Sequence, residues 1–160
     1  MKIATFRFGE LDIPEENIIE IPKGIIGFEQ FKKYVLLERE DSDPFCWLQS
    51  LEDPNLAFVV VNPMVFFRSY KIEVHFKELG DIQVTSLDRI ETFVIVTIPD
   101  DIRKMSANLL GPIVINLDNN QAKQVVLVNS PYTIQHFIMD ELNKKMDRGP
   151  HKKQSLAVQI

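Results

Sequence analysis

The chain has 160 residues, with 18 Lys and Arg against 23 Asp and Glu, which gives a formal net charge of −5 at pH 7. Its composition, 45% hydrophobic and 26% charged, is that of a soluble globular protein and excludes wholesale disorder. The length fits one domain with a sizeable core, and the longest apolar run, residues 56–61, is far shorter than the ~20 residues of a membrane-spanning helix. Because the N-terminus lacks a secretory signal and Cys46 is the single cysteine, we expect a cytoplasmic protein without a disulfide.

Strand patterns dominate the chain. Runs rich in Val, Ile, Phe and Thr follow one another at short intervals, and the first of them alternates apolar and polar residues. The predicted strands are residues 2–8, 17–21, 34–38, 45–50, 56–61, 92–98, 112–116 and 123–128. Turns rich in Asp, Asn and Pro separate several of them, and the turn at 118–120 predicts a hairpin. The series predicts a mostly β fold, a small antiparallel β-barrel or closed sandwich.

Helical patterns are few. Residues 27–33 allow one or two helical turns, and residues 80–89 are ambiguous. Residues 133–147 are the best candidate, because apolar residues recur there every three or four positions. We therefore expect one or two short helices and a C-terminal helix or tail. The predicted organisation is a single barrel-like domain over residues 1–142 and a partly mobile tail over residues 143–160.

Charge is distributed unevenly between the body and the tail. Residues 1–139 hold 13 basic and 20 acidic side chains, a net of −7, whereas residues 140–160 hold 5 and 3, a net of +2. An acidic body disfavours nonspecific binding to nucleic acid and suits a basic protein partner. A mildly acidic surface also serves solubility alone, and this simpler explanation stays open.

No motif supports catalysis or metal binding. Zinc needs about four ligands, whereas the three histidines are isolated in the sequence: His75, His136 and His151. A hydrolase that uses Cys46 as nucleophile and His136 as base is one alternative. The flanking Phe45 and Trp47 instead predict a thiol near the core, where burial raises its pKa and lowers its reactivity. We predict a protein that is not an enzyme, with no cofactor and no metal.

An RNA-binding barrel of the OB type is the alternative function. Gly24-Ile-Ile-Gly27 has the outline of a G-x-x-G loop that clamps nucleotide backbone, but its middle residues are apolar and Glu29 follows. Basic residues also do not interleave with exposed aromatic residues, as they do on a platform for single strands. Residues 63–67 and 106–112 are apolar at places where connectors are expected, so each is either core or an exposed docking patch.

Several strings of residues resemble the family of the bacterial flagellar assembly factor FliW. They occur in the family's order between about residue 3 and residue 138. The strings are Pro22-Lys-Gly-Ile-Ile-Gly-Phe-Glu29, Pro44-Phe-Cys-Trp-Leu-Gln-Ser50, Asp53-Pro-Asn-Leu-Ala-Phe58, Ile95-Val-Thr-Ile-Pro99, Ala107-Asn-Leu-Leu-Gly-Pro-Ile-Val-Ile-Asn116 and Lys123-Gln-Val-Val-Leu127.

The resemblance implies a β-barrel-like protein that is not an enzyme and that binds two partners. These are flagellin and CsrA, a dimeric RNA-binding translational repressor. Binding to CsrA would relieve repression of flagellin mRNA translation, and accumulating flagellin would compete for the factor. We expect no direct contact with nucleic acid or membrane, and a monomer when the protein is free.

The predicted partner surface combines an apolar anchor with charge. We expect Leu109 and Leu110, next to Asn108, to anchor the repressor, and Asp100 and Asp101 to form an acidic rim. Lys144 and Lys145 begin a tail that we expect to contact the partner away from this anchor. We expect four further motif residues to fill the core instead: Trp47, Leu48, Phe58 and Ile113.

Overall fold

A closed β-barrel forms the centre of the computed structural model, which describes residues 1–145 and 155–159. The strands are β1 Lys2–Thr5, β2 Gly9–Asp12, β3 Ile18–Glu20, β4 Lys33–Glu38, β5 Cys46–Ser50, β6 Ala57–Val61, β7 Lys71–His75, β8 Ile90–Thr97, β9 Ser106–Ala107, β10 Ile113–Asn116, β11 Gln121–Gln124, β12 His136–Phe137 and β13 Ser155–Gln159. The helices are α1 Phe76–Gly80 and α2 Ile138–Lys145, and no helix in the described part of the chain is long and apolar enough to cross a bilayer.

Seven strands close the barrel in the order β10-β11-β3-β4-β5-β6-β8, because β10 pairs with both β11 and β8. The expectation of a mostly β closed barrel is confirmed. Six of the seven junctions are antiparallel, whereas β11 and β3 run parallel and meet at Gln121 and Glu20. The apolar pattern of the sequence does not predict this parallel junction, because alternate residues of a strand share one face of the sheet in parallel and antiparallel pairing alike.

The barrel interior is apolar. Alternate residues of the barrel strands point inward and pack into one cluster, as period-two patterning requires. Its buried members are Ile19, Ile21, Ile25, Tyr34, Leu48, Val60, Phe93, Ile113, Ile115 and Ala122. The expectation that Leu48 and Ile113 fill the core is confirmed, whereas Trp47 and Phe58 are half-buried.

Two outer layers cover the barrel wall. The β1–β2 hairpin packs Ile3 and Ile13 against Val35 of β4. The segment with β7 and α1 packs residues such as Ile72 and Leu79 against the outward side chains of β6, β8 and β10. Met64 and Phe67 are buried in this second layer, so the apolar run at 63–67 is mainly core.

A proline explains why the predicted strand at 123–128 ends early. Beyond Gln124 the backbone still runs beside the 110–112 segment, since Val125 N donates to Pro112 O (2.9 Å) and Leu127 N donates to Leu110 O (2.9 Å). Pro112 has no N–H group with which to return a hydrogen bond, so a regular ladder cannot continue.

Other regions also differ from the sequence predictions. Residues 27–33 form turns and no helix, and α2 begins only at Ile138, after the two residues of β12. β7 was not among the predicted strands, although its residues alternate between exposed and buried, because Lys71, Glu73 and His75 weaken its apolar signal. At the C-terminus β13 pairs in parallel with β7 over five residues. The predicted boundary between domain and tail at residue 142 stays a prediction.

Polar side chains hold the turn between β5 and β6. The fully buried Gln49 donates from Nε2 to Ser50 O and to Leu56 O, both at 3.1 Å. Ser50 Oγ accepts from the N–H groups of Glu52 and Asp53, both at 3.0 Å. The string Trp47-Leu-Gln-Ser50 therefore contains residues whose function is to build this turn.

Gly24 is required by the turn that leaves β3. Its φ is +69°, a conformation that L side chains rarely adopt, and a Cβ there would lie 2.5 Å from the Cα of Glu29. The turn buries Ile25 and exposes Ile26.

We predict that Gly24→Ala lowers the free energy of unfolding by about 2 kcal/mol or more, because it adds backbone strain and a backbone clash. Urea denaturation would measure the change. Gly80→Ala is the matched control, since a Cβ at Gly80 meets nothing within 4 Å, and it is expected to be neutral or slightly stabilising. Equal stability of both variants would contradict this role of Gly24.

Candidate functional site

An apolar groove of about 300 Å³ lies at the end of the barrel that carries the β3–β4 connection. Two segments form its walls, the turn at residues 25–28 and the segment at residues 108–111, and barrel side chains form its floor. The lining residues are Ile25, Ile26, Phe28, Phe58, Ile95, Asn108, Leu110, Gly111, Gln124, Val126 and Ile134. None of them carries a charge.

Of the two polar side chains of the groove, Gln124 joins the two walls and Asn108 holds the 108–111 segment. Gln124 Oε1 accepts from Ile26 N (2.9 Å), and Gln124 Nε2 donates to Gly111 O (3.0 Å). Asn108 Oδ1 accepts from the N–H groups of Leu110 (3.1 Å) and Gly111 (3.0 Å). Since these polar groups bind backbone, the surface that the groove offers to a partner is apolar.

Large apolar side chains are exposed around the groove. Ile134 is 69% exposed and Ile26 is 62% exposed, with Val126 and Phe28 exposed to a lesser degree. The ring of Phe28 also meets the ring of Phe58 edge to face, with the two ring centres 5.1 Å apart. Contiguous exposed apolar residues on a folded domain mark interaction surfaces more often than solitary ones do.

The structure separates the two leucines that we expected to anchor a partner. Leu110 lines the groove and is half-buried. Leu109 is buried in the core, with 2% of its surface exposed, and its carbonyl accepts from the Tyr70 hydroxyl at 2.6 Å. Because its side chain is buried, Leu109 supports the core and cannot reach a partner in this structure.

The expected acidic rim is only partly available. Asp100 is exposed. Asp101 caps the short turn Ile102–Lys104 and accepts from Arg103 Nε (3.0 Å) and Nη2 (3.2 Å). These bonds hold the pKa of Asp101 below its usual value, and the guanidinium neutralises its charge locally. Lys144 and Lys145 are the last two residues of α2.

Cys46 is half-buried in the barrel wall, directly across from Glu38 in the neighbouring strand. Burial raises the pKa of its thiol to about 11, and the carboxylates of Glu38, Glu91 and Asp43 add to the shift. A thiol of this kind is a poor nucleophile at neutral pH.

Two histidines have local structural contacts. His75 Nδ1 accepts from Lys77 N (3.1 Å) and caps α1, and His136 Nε2 accepts from Thr133 N (2.9 Å). His151 lies outside the described residues. Within residues 1–145 and 155–159, no three His, Cys, Asp or Glu side chains are grouped to hold a metal ion.

Sequence reasoning found part of the groove and missed the rest. It selected Asn108 and Leu110 from their motif, and it assigned Phe58 to the core. It did not select Ile26 or Ile134, because neither stands out in its own segment. Only the folded chain brings the 25–28 turn, the 108–111 segment and Ile134 to a common surface.

Comparison with known proteins gives one consistent family. The family model for the FliW protein matches residues 2–138. The chain is 40% identical to the flagellar assembly factor FliW of Ruminiclostridium cellulolyticum over 146 residues, which are 91% of this chain and 99% of that protein. It is 43% identical to the flagellar assembly factor FliW of Heliobacterium modesticaldum over 136 residues, 85% of this chain and 89% of that protein.

A solved structure agrees with these sequence relatives. The crystal structure of the flagellar assembly factor FliW matches the fold with a TM-score of 0.81 at 38% identity, covering 86% of this chain and 96% of that one. Fold, sequence and the order of the motifs thus lead to the same result, and the chain belongs to the FliW family of flagellar assembly factors.

Proposed function

We propose that this chain is a cytoplasmic, non-enzymatic assembly factor that binds flagellin and a CsrA-type translational repressor, and thereby relieves repression of flagellin mRNA translation. The observation that supports a binding role most directly is the exposed, uncharged groove built from the family's own motif residues. The identity of the two partners, flagellin and a CsrA-type repressor, is what membership of the family implies for this chain.

The groove supplies affinity in this proposal. A partner side chain that enters it removes apolar surface of Ile26, Ile134 and Val126 from water, which is favourable by roughly 25 cal/mol per Å². Gln124 Oε1, Gln124 Nε2 and Asn108 Oδ1 already bind backbone, so an apolar segment can dock without breaking these hydrogen bonds.

Charge supplies orientation. The acidic body attracts a basic face of the repressor and speeds the encounter, with Asp100 among the exposed carboxylates. Asp101 contributes less, because Arg103 is bound to it.

Both partners use the groove in this proposal. One apolar surface cannot hold two partners at once, so flagellin that accumulates displaces the repressor from the factor. The released repressor then binds flagellin mRNA again and synthesis falls.

We predict that the double substitution Ile26→Ser and Ile134→Ser weakens binding of both partners by about tenfold or more, because it removes two exposed apolar contacts. Titration calorimetry with purified monomeric flagellin and purified repressor would measure the change. The matched control is Ile98→Ser with Ile102→Ser, two residues with similar exposure that do not line the groove.

Unchanged affinity for both partners, or an equal loss in the control, would contradict the proposed role of the groove. Loss of one partner alone would contradict the shared use of it. Since all four side chains are largely exposed, none of these variants is expected to lose more than about 0.5 kcal/mol of stability.

We also predict that Cys46 takes no part in chemistry. With its pKa raised to about 11 from an ordinary value of 9.0, the native thiol at pH 8 holds roughly a hundredfold fewer thiolate ions than a free thiol. Its reaction with a disulfide reagent should be correspondingly slow in the native chain and fast in urea. Cys46→Ser should keep the affinity for both partners, whereas a fast native reaction together with a loss of function would contradict this.

A further inference from the structure

A stack of aromatic rings and guanidinium groups lies on the outer wall of the barrel. Arg7 Cζ lies 4.2 Å from the centre of the Trp47 ring, and the ring of Phe8 meets Trp47 edge to face at 5.6 Å. Arg39 Cζ in turn lies 4.6 Å from the centre of the Phe8 ring. The order Arg7, Trp47, Phe8, Arg39 thus places a guanidinium at each end of an aromatic pair. We call these four residues the arginine stack.

The expectation that basic residues do not interleave with exposed aromatic residues is wrong at this place. Phe6, Arg7 and Phe8 follow one another at the tip of the β1–β2 hairpin, and Arg7 and Phe6 are exposed. The sequence pattern predicts residues 2–8 as one continuous strand. The turn at residues 6–8 instead leaves Phe6 82% exposed.

The hairpin tip holds Phe6 in a defined position. Phe6 N donates to Pro54 O (2.8 Å), and Thr5 Oγ1 donates to Gly9 O and accepts from Phe8 N, both at 2.8 Å. A side chain presented on a hydrogen-bonded turn loses little backbone entropy when it contacts a partner. Exposed aromatic residues with neighbouring arginines are the residue types that dominate binding energy at protein interfaces.

The guanidinium groups of the stack are available to a partner. Arg89 and Arg103 are each paired with an aspartate, Asp118 and Asp101. By contrast, no carboxylate among residues 1–145 and 155–159 lies within 4.0 Å of a guanidinium nitrogen of Arg7 or Arg39. Stacking on a ring occupies the face of a guanidinium and leaves its N–H edges free for a carboxylate or phosphate.

We infer that the arginine stack and Phe6 form a second docking site, separate from the groove, for an acidic segment of a protein partner. Carboxylates of that segment accept hydrogen bonds from Arg7 and Arg39, and an apolar side chain beside them packs against Phe6. A protein segment is favoured over a nucleic acid because residues 1–139 carry a net charge of −7. This field repels a strand with a phosphate at each nucleotide far more than a segment with a few carboxylates.

The single tryptophan of the chain makes the site directly observable, because Trp47 is part of the stack. The experiment titrates the full chain with a synthetic peptide that carries two glutamates on each side of a pair of leucines. We expect a saturable change in Trp47 emission with a Kd in roughly the millimolar range, weaker at high salt. Binding should weaken roughly fivefold in Arg7→Gln with Arg39→Gln, and also in Phe6→Ser.

Arg103→Gln is the control, since this arginine is exposed and already bound to Asp101, and it should leave the affinity unchanged. Calorimetry with the same variants gives a readout that does not depend on the emission of Trp47. The inference is overturned if no saturable binding occurs up to about 5 mM peptide, or if the same peptide with lysines in place of glutamates binds equally well. Tighter binding of a hexauridylate than of the acidic peptide would also overturn it and would indicate an RNA site instead.

Discussion

The pairing of β10 with both β8 and β11 is the constraint on which the rest of the structure depends. It closes seven strands into a barrel and leaves no exposed edge among them. Closure also brings the segment before β10 against the turn that follows β3, two parts of the chain that are more than 80 residues apart. Gln124 on β11 then connects Ile26 to Gly111 across the junction. The groove is therefore a consequence of closure.

Polar side chains in this protein serve mainly to fix backbone. Gln49 and Ser50 build the β5–β6 turn, Asn108 holds the segment before β10, and Asn116 Nδ2 donates to Ile82 O at 2.9 Å. With polar groups used in this way, the exposed part of the groove is left apolar. A family motif can thus contain two kinds of residue, those that hold the backbone and those that the backbone then exposes. In the string that begins at Pro22, Gly24 is of the first kind and Ile26 is of the second.

Much of the fold could be predicted from the sequence, because strand signals are local. Alternation of apolar and polar residues, together with runs of β-branched residues, predicts most barrel strands to within a few residues. Non-local effects explain the differences. Pro112 interrupts the ladder of a different strand. The hairpin tip ends the predicted strand 2–8 at Thr5, and β7 lies over the barrel wall despite its charged residues.

The candidate site was less predictable for the same reason. The patterning of the 106–112 segment could not decide which of Leu109 and Leu110 faces outward, and Tyr70, which binds the carbonyl of Leu109, is far away in the sequence. Ile26 and Ile134 acquire a common role only when the barrel closes. The arginine stack joins residues from three separate segments, and only Phe6-Arg7-Phe8 among them forms a visible pattern.

The central claim is that the groove is the surface that binds partners, and methyl NMR of the isoleucine side chains tests it most directly. The chain would be titrated with purified monomeric flagellin. The account predicts that the methyl signals of the groove residues Ile26, Ile95 and Ile134 shift or broaden, while those of the deeply buried Ile72 and Ile82 change little. The largest changes at Ile98 and Ile102, with the groove signals unmoved, would contradict it.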